Sequence, residues 1–302
     1  MLYEKEYQKL LELNKQNKID YKNDDGLTEK EFLDAYNPGD YQRPSLTVDI
    51  LVFTIESDEL KLLLIKRKNH PYINSWAIPG GFVDINESSE NAAKRELEEE
   101  TGLRNIYMEQ LYTWSGVDRD PRMRVVSTSY IALVDKNKLH PVAGDDAAEV
   151  AWFSVNKQFS KTDADGTIYY DLILKNEELD LSMESMVFNV PKENGVITNY
   201  ETKIAQTSQE KLAFDHVDII NMAIDRLKNK IEYTPIAFNL VGEYFTLPAL
   251  QKVYEIILGK KLYKTNFRNK VEQMVNETEK YIDTNHRPAK LYKYNKLWNI
   301  FK

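Results

Sequence analysis

Glu96, Glu99 and Glu100 stand at positions i, i+3 and i+4 of a run, Ser88 to Thr101, that is rich in helix formers and free of Pro and Gly. On a helix that spacing puts three carboxylates on one face. Carboxylates so close repel each other unless a cation sits among them. Hard oxygen ligands of this kind suit Mg²⁺ or Mn²⁺, which commonly bridge carboxylates to substrate phosphates. Ala93 and Leu97 lie on a neighbouring face and can pack inward. Arg95 is spaced to pair with Glu99 one turn on, and Glu87 is a second candidate partner. Gly80 and Gly81 precede the helix, where a Gly pair lets backbone approach a ligand closely. Gly102 is placed to end the helix in a left-handed cap. A merely solvated acidic face accounts for Glu90 and Glu98, but not for the flanking glycines and the arginine.

The same residues satisfy the pattern G-x5-E-x7-R-E-U-x-E-E-x-G-U, with U a bulky apolar residue, at every fixed position: Gly81, Glu87, Arg95, Glu96, Leu97, Glu99, Glu100, Gly102 and Leu103. Here the chain resembles the Nudix hydrolases. The resemblance implies an α/β fold, the Nudix α/β/α sandwich, and cleavage of a nucleoside-linked diphosphate with a bound divalent cation, Mg²⁺ or Mn²⁺. It implies that Glu96, Glu99, Glu100 and the Gly80 carbonyl hold the metal. The catalytic set it implies is Glu99, Glu96, Glu87 and Arg95, with Glu87 a supporting carboxylate. The metal would neutralise the diphosphate and activate a water, and Gly81 would lie against the substrate.

Two further segments fit that chemistry. DRDPRMR gathers Arg119, Arg122 and Arg124 in one loop between strands. Clustered arginines suit bidentate phosphate binding, and the alternative is surface pairing with Asp118 and Asp120. GDDAAE lies on a late loop, where Nudix enzymes acting on ADP-ribose-like substrates often place an extra acid. Asp145, Asp146 or Glu149 could serve as base or ligand, and Asp146 is taken as the substrate-facing candidate. Lys66 and Arg67 end a strand near the site and either touch phosphate or reach solvent. Trp76 and Trp114 either stack on a base or belong to the core.

The elements that must position these groups are legible in outline. Residues 3–18 and 28–36 read as short helices, the second capped by Thr28 with Glu31 three residues on. SLTVDILVFTI and LKLLLIKR read as strands joined by a turn at Ser57-Asp58-Glu59. Further strands are expected over Ile106–Trp114, Met123–Val134 and Val150–Val155, and a hairpin over 168–174 and 182–190. Leu212–Ile231 has helical spacing of Phe214, Val217, Ile220, Ile224 and Leu227. There is no Cys, hence no disulfide, thiol nucleophile or thiolate metal site. No apolar run approaches a membrane span, and the N-terminus is charged throughout, unlike a signal peptide. A cytoplasmic protein without a membrane partner is expected. The four His residues are scattered and read as structural or surface.

The net charge of −8 is uneven: residues 1–230 carry −13 and residues 231–302 carry +5. A basic tail points to a polyanion partner, or else to docking on the acidic body. Thr246 caps a helix with Pro248 in its first turn and Gly259 as its stop. KTNFRNKVEQM follows as a second helix, with Phe267, Val271 and Met274 inward. A basic hairpin comes last. This is the outline of a winged helix-turn-helix, in which the second helix enters the major groove and the wing meets phosphates. Lys264, Thr265, Arg268, Asn269, Arg287 and Lys290 are the candidate contacts to double-stranded DNA.

Joined to a Nudix domain, this tail resembles the Nudix-related transcriptional regulators, the NrtR family. The resemblance rests on YQRPSLTVDILVF, DRDPR, AFDH and FTLPALQKVYEIILG…NFRNKV, within residues 42–302. It implies a homodimer that senses ADP-ribose or a related nucleotide and binds operator DNA. The expected domains are therefore 1–41, an N-terminal helical extension; 42–230, the Nudix domain; and 231–302, the winged helix. Three functions stay open: a Mg²⁺-dependent hydrolase of ADP-ribose or a similar nucleoside diphosphate derivative, a DNA-binding regulator that senses one, and a hydrolase whose tail only packs or dimerises. The first two are compatible, and the intact box ranks the hydrolase first.

Overall fold

The computed structural model describes residues 2–16, 21–136, 147–192, 196, 198–283 and 288–298. The chain forms two compact units, Met1–Arg43 and Pro44–Lys302. In the first, α1 (Leu2–Gln16) precedes α2 (Glu29–Ala35). The Thr28 capping box is present: Glu31 N donates to Thr28 Oγ1 at 3.3 Å and Thr28 N to Glu31 Oε2 at 2.8 Å. The described side chains of α1 are all exposed.

In the second unit the alternation of β1 (Ser45–Glu56) decides the layers. Val48, Ile50 and Val52 point to one face of the sheet and Leu51 and Phe53 to the other. β2 (Glu59–Arg67) returns antiparallel through Ser57 and Asp58, both at positive φ (50° and 64°) as a tight two-residue hairpin requires. The short β3 (Trp76–Ala77) and β4 (Gly80–Phe82) pair with β2 and β1 respectively. After α3 (Ser89–Thr101), β5 (Tyr107–Trp114) and β6 (Val125–Leu133) follow, and β6 runs parallel to β1 from Ser45↔Val125 to Phe53↔Leu133. β7 (Ala147–Thr162), β8 (Ile168–Asn176), β9 (Leu181–Lys192) and β10 (Asn199–Gln206) complete a mixed sheet of order β10-β9-β8-β7-β2-β1-β6-β5.

α3 covers one face, burying Ala92, Ala93 and Leu97 against Val48, Ile50, Val52 and Tyr130. α4 (His216–Lys230) covers the other, with Ile220, Ile224 and Leu227 against Leu51, Phe53, Phe153 and Leu172. This is the α/β/α sandwich of the Nudix fold. α5 (Leu247–Leu258), α6 (Lys264–Val271) and the hairpin β11 (Val275–Ile282) and β12 (Ala289–Tyr294) form the C-terminal winged helix. Its core residues Leu250, Tyr254, Phe267 and Val271 join the cluster that contains α4. The apolar core of the winged helix is thus continuous with that under α4. No helix among the described residues is long and apolar enough to cross a membrane.

Several elements differ from the sequence expectation. α4 begins at His216, not Leu212, because Ala213 N donates to Trp76 O and Phe214 takes a positive φ of 49°. The apolar period continues through this turn, but its backbone belongs to the sheet edge. β10 has no apolar alternation to announce it; pairing with β9 makes it a strand. β7 extends well beyond Val155 by pairing with β8. The second helix of the tail ends at Val271 and passes into a 3-10 turn over Glu272–Met274.

Candidate functional site

Ser88 caps α3 through its Oγ, which accepts from Asn91 N at 3.2 Å, and Gly102 closes the helix with φ 73°. Between the caps, Arg95 gathers the acids. Its Nη2 donates to Glu87 Oε1 at 2.7 Å and to the Phe82 carbonyl at 3.0 Å. Its Nη1 donates to Glu96 Oε1 at 2.8 Å and Glu99 Oε2 at 3.0 Å. These bonds hold the Glu87 carboxyl below its ordinary range. Glu96 is shifted the other way: burial raises its pKa, outweighing the Arg95 contact, and the charges of Glu99 and Glu87 add to the rise.

Two glycines bring the strand up to this helix. Gly80 has φ 157°, and a Cβ there would lie 2.0 Å from the Val48 carbonyl. Its N–H instead donates to Glu100 Oε2 at 2.7 Å. A Cβ on Gly81 would lie 2.2 Å from Glu96 Oε1. Glu96, Glu100, Gly80 and Gly81 thus meet at one wall of a cleft of about 420 Å³. Glu99 is more exposed, held by Arg95, and is not among the cleft residues.

The donors for a cation are the Glu96, Glu99 and Glu100 carboxylates and the Gly80 carbonyl, all hard oxygen. Among the described residues, no three acidic or His groups already stand in a metal-holding cluster. Arg95 instead supplies the positive charge among Glu87, Glu96 and Glu99. The half-buried Glu96, whose ionised form is disfavoured in this setting, fits a site that gains from a second positive charge. The residues suit a hard divalent ion in type and approach.

The arginine loop shows features of both sequence readings, a place at the cleft and pairing with local carboxylates. Arg119 and Arg122 line the cleft, but each is already in a bidentate pair. Arg119 donates to Asp215 at 2.7 and 2.9 Å, and Arg122 to Asp120 at 2.8 and 3.0 Å. Arg124 lies outside the cleft, donating to the Gly116 and Ser115 carbonyls at 2.7 and 3.0 Å. Arg67 lines the cleft, donates to the Pro71 carbonyl at 2.9 Å and lies 5.0 Å from the Phe214 ring centre. Lys66 faces Glu149 at 3.9 Å. Asp145 and Asp146 lie outside the described residues. Trp76 is core, edge-on to Phe153, and Trp114 donates its indole N–H to Ser129 Oγ at 2.9 Å.

The cleft also holds a group that the sequence reading missed. Asp49 is buried, accepts from Ser127 Oγ at 2.5 Å, and lies 3.6 Å from Arg119 Nη2 and 3.5 Å from His216 Nε2. Burial raises its carboxyl pKa. Ile78 N donates to His216 Nδ1 at 2.9 Å, so that nitrogen carries no proton. Burial lowers the His216 pKa to about 3 and keeps the ring neutral. Phe214 lines the same cleft. The available signal was Asp49 itself, an acid inside an otherwise apolar strand pattern.

At the other end of the unit, Thr246 caps α5, accepting from Ala249 N at 3.2 Å. Glu255 Oε1 fixes the following turn by accepting from Leu262 N and Gln251 Nε2, both at 3.0 Å, and these bonds lower its pKa to about 2. Phe267, Val271 and Met274 point inward, and Lys264, Thr265, Arg268 and Asn269 are exposed together on α6. Lys290 on the wing is paired with Glu277. Arg287 lies outside the described residues.

A cleft built on the glutamate helix, followed by an exposed polar-basic second helix and a wing, defines a Nudix domain joined to a winged helix. The NUDIX domain model matches residues 45–172, and the NrtR DNA-binding winged helix domain model matches residues 237–294. The ADPR responsive transcriptional repressor NtrR of Acinetobacter baylyi is 32% identical over 272 residues, covering 88% of each chain. The ADP-ribose pyrophosphatase of Methanocaldococcus jannaschii is 45% identical over 116 residues, 38% of this chain and 65% of that protein. The crystal structure of Shewanella oneidensis NrtR complexed with a 27mer DNA matches with TM-score 0.61 and 30% identity, over 84% of this chain and 94% of that one. The chain belongs to the NrtR family of Nudix-related regulators.

Proposed function

We propose that the Nudix site hydrolyses the diphosphate of ADP-ribose or a related nucleoside diphosphate derivative, and that the same protein binds double-stranded DNA through α6 and the wing. The observation that carries the hydrolase reading is the complete glutamate helix held against Gly80 and Gly81, with Glu96 and Glu100 at the wall of the cleft. Glu96, Glu99, Glu100 and the Gly80 carbonyl are the groups to hold Mg²⁺ or Mn²⁺. Bound there, the ion would supply positive charge beside the diphosphate and raise the acidity of water. Arg95 orients Glu87, Glu96 and Glu99. Arg67, Arg119 and Arg122 line the cleft where the phosphates would lie.

The named relatives supply the substrate class, since one is called an ADP-ribose pyrophosphatase and another an ADPR-responsive repressor. The repressor matches along most of its length, which favours a second reading: the Nudix domain mainly senses the nucleotide. A cytoplasmic homodimer is part of either reading. The test is a panel of nucleoside diphosphate derivatives with Mg²⁺, scoring both product release and thermal shift, because a ligand that binds only the folded state raises apparent stability. AMP and ribose 5-phosphate from ADP-ribose support the first reading. Thermal shift without turnover leaves the second, and neither response to any compound sinks both.

A further inference from the structure

Phe214, Asp215 and His216 form the turn by which the chain enters α4, and each side chain is engaged from the cleft. Phe214 sits at φ 49°, an unusual conformation for a bulky side chain. Its ring lies 5.0 Å from the Arg67 guanidinium, 6.0 Å from that of Arg122 and 4.7 Å from the Tyr72 ring. Asp215 occupies the N-cap position of α4 but makes no side-chain cap bond. Both of its carboxylate oxygens are taken by Arg119 instead, at 2.7 and 2.9 Å. His216 is tied to Ile78 N at 2.9 Å.

The far end of α4 meets the winged helix. Ile231 is fully buried, and the next residue, Glu232, lies 3.2 Å from Lys270 of α6 and 3.6 Å from Lys260 in the turn before it. Lys270 also lies 5.1 Å from the ring of Tyr254 on α5. Between its ends, α4 buries Ile220, Ile224 and Leu227 in the same cluster as Leu250, Tyr254, Phe267 and Val271. A helix of 15 residues spans about 22 Å. α4 therefore runs from a cleft arginine to the helix that carries Arg268 and Asn269, with packed core along its length.

We propose that the Phe214–His216 turn reads occupancy of the cleft by an anionic nucleotide, and that α4 carries the change as a rigid element to α6, setting the affinity for DNA. The proposal rests on the reading of the chain as a nucleotide-responsive DNA binder. A diphosphate in the cleft competes with Asp215 for Arg119. Once released, Asp215 is free to turn back onto the first turn of α4, where a carboxylate is stabilised. Arg67 and Arg122, drawn to phosphate, leave the face of Phe214, and the positive-φ turn loses its packing. Close-packed interfaces shift between discrete arrangements and do not deform smoothly, so a change at the first turn of α4 reaches the Glu232–Lys270 contact.

The experiment measures one ratio, the DNA dissociation constant with and without nucleotide, on the full chain. The DNA is a duplex selected by the wild-type protein from a random pool. The nucleotide is α,β-methylene ADP-ribose with Mg²⁺, which turnover does not remove. Wild type is expected to show a ratio of roughly tenfold or more, in either direction. Asp215→Asn and Glu232→Gln, at opposite ends of α4, should each reduce it to under about twofold while still melting cooperatively and still binding duplex and analogue. Should Asp215→Asn fail to fold, the partly exposed Glu232→Gln decides alone. A folded variant of either kind that keeps the wild-type ratio overturns the proposal. So does a wild-type protein that binds both ligands with a ratio of one, and this leaves the hydrolase and DNA-binding readings standing. A wild-type protein that selects no duplex, or does not bind the analogue, removes the underlying reading and this proposal with it.

Discussion

The Cα of Gly81 lies directly against the Glu96 carboxylate, so close that a Cβ there would be 2.2 Å from Oε1 and 2.6 Å from Oε2. The fit leaves no room for any side chain between β4 and the glutamate helix. Gly81→Ala must push Glu96 away or move β4. The atoms met are the far end of a flexible side chain, so the displacement falls on the carboxylate and costs little stability. Turnover of ADP-ribose should fall at least about tenfold, because the carboxylate is displaced from its place at the cleft wall. Rate and melting temperature measured on the same variant check this. Unchanged turnover would mean that Glu96 need not sit where the structure has it.

Glu99 separates chemistry from stability. Its side chain is 59% exposed and, among the described residues, its ion pair is with Arg95. Removing such an exposed pair costs no more than about 1 kcal/mol. Glu99→Gln should therefore melt within a few degrees of wild type yet lose turnover by about a hundredfold or more if the residue holds the metal. A kinetic titration with Mg²⁺ makes the comparison. Retained turnover at saturating Mg²⁺ would remove Glu99 from the ligand set.

His216 and Asp218 act in opposite directions on stability. The His216 pKa falls to about 3 in the folded protein from an ordinary 6.5, so the unfolded chain binds more protons between those values, and stability is lost as pH falls through that window. Burial, with the charge of Asp215, raises Asp218 to about 6 from 3.8, so its contribution is present below 3.8 and is lost as pH rises through about 6. Gln at position 216 can still accept from Ile78 N but does not titrate. The stability of wild type minus that of His216→Gln should therefore climb between about pH 4 and 7, by a few kcal/mol at most. Urea unfolding across that range tests it, and a flat difference would show that His216 is not held neutral by burial.

Arg268 and Asn269 are exposed side by side on α6, the face suited to base edges. Either residue changed to Ala should cost about 1–3 kcal/mol of discrimination on a selected duplex. Lys264→Ala should weaken binding to all sequences alike and reduce the salt slope by about one. Fluorescence anisotropy at several salt concentrations distinguishes the two effects. Equal binding by all three variants would move the DNA contact to another surface.

Leu250 tests whether the winged helix stands apart. It is fully buried and shares a cluster with Ile220, Ile224 and Phe53. Leu250→Ala should lose about 2–5 kcal/mol, and the loss should appear in a single transition covering both modules. Two transitions, with only one displaced, would show that the two modules unfold independently.

The glutamate helix was legible because its determinants are local. Ser88, Gly102 and the spacing of Arg95, Glu96, Leu97, Glu99 and Glu100 lie within a few turns of each other, and helical geometry fixes which of them share a face. The winged helix was legible for the same reason: Thr246, Pro248, Gly259 and the inward Phe267 and Val271 are caps and a short apolar period. What the box, these caps and the charge balance determined by themselves is a Nudix helix, a basic two-helix tail and the kind of ligand each suits.

Tertiary structure alone decided the rest. Asp49, Ser127, Arg119 and His216 meet because β1 and β6 pair in parallel and α4 lies under that pair. Nothing near any one of them in the chain names its partners. The arginines of the DRDPRMR loop read in sequence either as phosphate ligands or as partners of Asp118 and Asp120. Arg122 keeps the local partner Asp120, whereas folding gave Arg119 to the distant Asp215. Local spacing dictates which groups share a helix face, whereas burial and long-range pairing choose which charges meet. Folding alone therefore ties a cleft arginine to the start of α4 and the other end of α4 to the tail.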